Sequence, residues 1–132
     1  MEAKEKATEY HKRGFNCAQS VLCACGEYTG LDDCTALAVS GGFGGGVRCG
    51  EICGSITGAV MALGLAAPYN NASDEKAKVR IASLTKDCVK AFQEKYDCIR
   101  CRELKQAGVS CDELIEFGAE LAESMIKEIK KT

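Results

Sequence analysis

Ten of the 132 residues are cysteine, and a density like that points to one of two designs. Either disulfides staple a small scaffold, or a packed domain carries thiols that bind or react. The first residues, MEAKEKATEYHKR, are charged and amphipathic, without an apolar signal segment or a cleavage site. That start leads us to expect a cytoplasmic protein with reduced thiols, where dense cysteine means metal or redox chemistry. A chain of this length can bury a real core without disulfides, so one domain spanning 1–132 is expected.

Charge removes two other classes of function. Lysine and arginine number 17 against 19 acidic residues, a net charge of −2, which gives no electrostatic reason to expect nucleic acid or an anionic membrane surface. The longest apolar stretch runs from Ile52 to Ala67. It falls short of the ~20 residues of a spanning helix, and its glycines suit a buried core helix, so no membrane insertion is expected.

The periodicity is helical nearly throughout, with one proline and eight aromatic residues, which argues against a sandwich or barrel of short strands. A first helix covers Ala3 to Arg13 and stops at Gly14. Asn16 caps a second, through about Glu27, and Asp32 or Asp33 caps a short third. The run GGFGGGVRCG, 41–50, reads as a loop before an apolar helix from about Glu51 to Leu65. A long helix follows from Ser73 to about Tyr96, then a short one from Cys98 to Gln106. Ser110, with Glu113 three residues on, opens the last as a capping box; its apolar stripe is Leu114, Phe117, Leu121, Met125 and Ile129. The expectation is an all-α compact bundle of five to seven helices with a glycine-rich loop.

Spacing sorts the cysteines. Cys17, Cys53 and Cys111 fall where helices begin, and Cys98 and Cys101 lie near another start, between basic residues. Unpaired amides and partial positive charge at helix starts lean these sulfurs toward thiolate. Cys23 and Cys25 project about 200° apart on a helix and cannot share a site. With Cys34 and Cys88 they read as core fillers. Cys49 and Cys53 would be i, i+4 neighbours if the helix reached back that far, and Cys98 and Cys101 are i, i+3 neighbours.

Several familiar sites fail. Two C-x-x-C knuckles would mark a zinc ribbon, and only one is present. His11 is the sole histidine and sits on a charged helix, so triad catalysis and histidine-rich metal sites are disfavoured. The glycine run lacks the G-K-[ST] of a phosphate loop. It reads either as a tight connection that lets helices pack closely or as a nest of backbone amides around sulfur or an anion. Gly54, Gly58 and Ala62 recur every four residues, a smooth face for the core or for a dimer interface.

Four segments carry a resemblance: Asn16-Cys17-Ala18-Gln19-Ser20-Val21-Leu22, Gly41-Gly42-Phe43-Gly44-Gly45-Gly46, Cys53-Gly54-Ser55-Ile56-Thr57-Gly58-Ala59 and Cys101-Arg102-Glu103-Leu104. In this order they resemble the redox-active family named for its C-GCAxxG-C-C pattern of cysteines, over nearly the whole chain. The resemblance implies that the family's four cysteines are Cys17, Cys53, Cys101 and Cys111. Ser55 stands where the family usually has alanine. Cys49 and Cys98 stand where the pattern asks for no cysteine, as candidates for extra ligands or a resolving pair. The family resembles a domain of split-Soret cytochromes, which are associated with an iron–sulfur cluster and dimerise. The expected function is therefore a redox-active, metal-binding module holding an iron–sulfur cluster, a two-iron one first, for electron transfer to an unknown partner or for redox sensing. A thiol–disulfide protein without metal and a structural zinc protein are the alternatives, and a homodimer is the expected assembly.

Overall fold

The computed structural model describes residues 1–131. Eight helices follow in chain order: α1 (Ala3–Lys12), α2 (Cys17–Ala24), α3 (Gly26–Thr29), α4 (Asp33–Ser40), α5 (Gly54–Ala66), α6 (Glu75–Tyr96), α7 (Cys101–Gln106) and α8 (Cys111–Lys131). The fold is all-α, as the periodicity requires. One helix more than the upper expectation arises because the second expected helix breaks at Cys25 and resumes as α3, which Gly30 ends in a left-handed conformation. Among the described residues, the only extended pairing is an isolated antiparallel bridge between Ile52 and Arg100. No helix of the described residues is long and apolar enough to cross a membrane.

The bundle is organised around α5, whose thirteen residues include no charged side chain. It packs most extensively against α2 and α8, with α6 on a further side, while α1 lies across α2 and α8. Close contact is built from missing side chains. A Cβ on Gly58 would stand 2.6 Å from the Ala18 carbonyl oxygen and 3.2 Å from Val21 Cβ. The Gly54, Gly58, Ala62 face is thus closed by α2 within the chain. On the other side, a Cβ on Gly118 of α8 would meet the Ser55 carbonyl oxygen at 3.0 Å.

Two polar clamps hold α1 in place. The buried Glu123 carboxylate accepts hydrogen bonds from the Tyr28 hydroxyl (2.8 Å) and the Ala3 backbone N–H (3.2 Å). Tyr10 donates to Asp33 at 2.7 Å. Phe92, Tyr96 and Phe117 interlock edge to face where α6 meets α8, with ring centroids 4.8 and 5.6 Å apart for the two pairs with Phe117.

Candidate functional site: a four-thiol cavity

Each of the four cysteines that the resemblance singles out stands at a helix start, and a different local device places each. Asn16 caps α2: its side chain accepts from the Gln19 N–H at 3.0 Å, and the Gln19 side chain accepts from the Asn16 N–H at 3.0 Å. The spare amide protons of both reach outward, Asn16 to the Gly41 carbonyl and Gln19 to the Leu37 carbonyl, each at 3.0 Å. The capping box therefore ties the glycine run to the first turn of α2, where Cys17 is the first helical residue.

Cys53 and Cys101 are joined by the extended bridge. The Cys53 N–H donates to the Ile99 carbonyl (2.9 Å) and the Cys101 N–H to the Glu51 carbonyl (2.7 Å). These bonds stop α5 at Gly54 and α7 at Cys101, which corrects two expectations. Cys49 is not on a shared helix with Cys53, and Cys98 lies outside the helix that Cys101 begins. Cys111 arrives through the turn at Gly108, where the Val109 N–H returns to the Leu104 carbonyl at 3.0 Å and Ser110 accepts from the Glu113 N–H at 3.1 Å.

The glycine run makes the close approach that one of its two readings anticipated. Gly44 lies on Asn16, where a Cβ would overlap the side chain. Gly46 has φ 65°, and a Cβ there would overlap the Glu51 backbone and come within 2.9 Å of Cys101 Cβ. The next two residues, Val47 and Arg48, hold left-handed conformations at φ 57° and 62°, which cost non-glycine residues energy. Arg102 braces this turn, donating to the Cys49 carbonyl (3.0 Å) and to the Glu51 carboxylate (2.8 Å).

These devices converge. Cys17, Cys53, Cys101 and Cys111 line one cavity of about 20 Å³, with Ser55 and Lys105 as its other polar residues and Val109 and Leu114 as its apolar wall. Cys53 is buried, Cys17 and Cys101 are half-buried, and Cys111 is exposed. Among the described residues no three cysteine, histidine or carboxylate side chains are already drawn together as a metal site. Cys49 and Cys98 do not line the cavity; their thiols lie near the Gly46 and Tyr96 carbonyls at 3.4 and 3.5 Å. Cys23, Cys25 and Cys88 are buried as core fillers, but Cys34 is exposed, because α4 buries only Ala36 and Ser40.

At two of these positions burial opposes ionisation. Burial pushes the Cys53 thiol up to about 11, against opposing donors in the Ser55 and Ile56 backbone. Cys111 is also raised, first by burial and then by the charge of Cys17, with Lys105 pulling the other way. Burial thus works against the expected lean toward thiolate at these two positions. Clustered thiols resist ionising together, and a cation or disulfide formation relieves that repulsion.

Sequence reasoning did not find Gln19, Ser55 and Lys105 as parts of this site. The N-x-x-Q spacing carried a signal for Gln19, since it has the form of a capping box. Nothing local marks Ser55 or Lys105, which enter through the packing of α5 and α7.

The arrangement defines an all-α, cysteine-rich protein with four thiols from four helix starts around one small cavity. Residues 15–125 match the family model described as "Putative redox-active protein (C_GCAxxG_C_C)", and the chain belongs to that family. Neither a curated protein nor a solved structure matches the chain.

Proposed function

We propose that the chain is a redox-active, metal-binding module whose four cavity thiols hold an iron–sulfur cluster, a two-iron one, for electron transfer or redox sensing. The observation that carries this reading is the convergence of Cys17, Cys53, Cys101 and Cys111, far apart in sequence, on one cavity. The donor set fits, since Cys₄ ligation is the common mode for such clusters. A cluster supplies one-electron chemistry when bound. Cys53 would anchor it from the buried side, and Lys105 would offset part of the negative charge of four thiolates. Cys111, the exposed member of the four, gives the site its solvent side.

The same gathering of four thiols around one cavity suits a second reading, a thiol–disulfide centre in which pairs of these sulfurs cycle between thiol and disulfide. All ten cysteines are free thiols in the structure. Anaerobic reconstitution with ferrous iron and sulfide separates the readings. A brown protein with visible absorption, iron and acid-labile sulfide supports the cluster. A colourless protein that retains zinc supports a structural zinc site. A protein that retains neither, yet loses free thiols reversibly on exposure to a disulfide oxidant, supports the second reading.

Cytoplasmic residence, with reduced thiols, and a redox partner belong to the same proposal, as does a homodimer. Because α2 closes the Gly54, Gly58, Ala62 face, a dimer would use another surface. Sedimentation at high micromolar concentration tests it: a species near 14.1 kDa alone would reject an obligate dimer.

A further inference from the structure

Three serines are fully buried: Ser20, Ser40 and Ser55. Two of them are satisfied in the same way, by donating to the carbonyl four residues back along the helix. Ser20 donates to Asn16 at 2.8 Å and Ser40 to Ala36 at 2.6 Å. Ser55 has no such outlet. It is the second residue of α5, so the carbonyl four residues back belongs to Glu51, which lies outside the helix and is taken by the Cys101 N–H. Its hydroxyl has no hydrogen-bond partner among the described residues.

The side chain is also closely packed on one side. Gly118 of α8 presses on it so closely that a Cβ at position 118 would stand 3.1 Å from Ser55 Cβ. On another side it lines the cavity with the four cysteines. A buried hydroxyl without a partner is costly to the fold, and here that cost sits beside four sulfurs.

We infer that Ser55 is a positioning residue for the bound centre, its hydroxyl donating a hydrogen bond to the sulfur of Cys53 when the four thiols hold the cluster. The inference rests on the four-thiol cluster reading above. Its chemistry is that of a donor to a ligand sulfur, which favours the more negative, reduced form of the centre and so raises its reduction potential.

The test compares wild type with Ser55→Ala, both reconstituted anaerobically with ferrous iron and sulfide. The variant should bind the same iron and sulfide, with a midpoint potential lower by about 59 mV, a tenfold change in the one-electron equilibrium. Metal-free Ser55→Ala should be at least as stable as metal-free wild type in urea, because the deleted hydroxyl had no partner to lose. Equal loading with an unchanged potential would overturn the inference and leave the cluster reading standing. A metal-free variant that is clearly less stable would also overturn it, since the hydroxyl would then serve the fold. Wild type that takes up no iron would overturn both.

Discussion

At the scale of the residue, ten cysteines divide by what surrounds them. Cys25 and Cys88 are fully buried away from the cavity, and burial pushes each thiol up to about 12. They act as small apolar side chains. Replacing Cys88 by serine should leave iron uptake intact and cost about 1–3 kcal/mol in urea unfolding, the penalty of a buried polar swap. Serine at Cys17, Cys53, Cys101 or Cys111 should abolish iron retention after reconstitution, as measured by iron content per chain. Cys34→Ser, at an exposed position, should change stability by less than about 0.5 kcal/mol. If Cys34→Ser removed iron while Cys101→Ser did not, the assignment of the site would fail. Spacing alone found which cysteines start helices, yet it did not separate Cys34 from the buried fillers. Exposure at that position depends on how α4 rests on its neighbours, which is a tertiary property.

At the scale of the element, small residues do what larger apolar ones were expected to do. The last helix was read with a stripe of Leu114, Phe117, Leu121, Met125 and Ile129. In the structure Leu114 of that stripe is buried, together with a line of Ile115, Gly118, Ala119, Ala122 and Ile126, and Phe117, Leu121, Met125 and Ile129 flank it as partly buried residues. The period was legible but its centre was not, because hydrophobicity ranks leucine above glycine and alanine, while close helix contact ranks them the other way. The start of α5 was misplaced by a few residues for a related reason. The Ile52–Arg100 bridge pairs segments far apart in sequence, and no local pattern announces it. A paired substitution tests the small-residue argument. Gly58→Ala should destabilise by about 1–3 kcal/mol, because its methyl would press on the Ala18 carbonyl. Gly64→Ala, in the same helix with open space around the new methyl, should stabilise by about 0.5–1 kcal/mol. Equal effects at the two positions in chemical denaturation would refute close α2–α5 packing as the reason for Gly58.

At the scale of the whole molecule, the buried thiols make stability a function of pH. Burial raises Cys23 and Cys53 to about 11 and Cys25 and Cys88 to about 12, whereas a thiol in the unfolded chain ionises near pH 8.5. Below about pH 8.5 both states keep these protons, so their stabilising contribution is fully present. Above it the unfolded chain releases protons that the folded chain retains. The balance then moves toward unfolding until the folded thiols ionise as well, near pH 11–12. Each thiol that is protonated in the fold and ionised in the unfolded chain adds a slope of up to about 1.4 kcal/mol per pH unit. The reduced, metal-free protein should therefore hold a nearly constant urea midpoint between pH 7 and 8 and lose it steeply between pH 9 and 11. Cys25→Ala should flatten that slope by about one proton's worth, even though the variant starts less stable for its lost volume. A midpoint that stays level to pH 11 in wild type would mean that the buried sulfurs do not hold their protons in the fold.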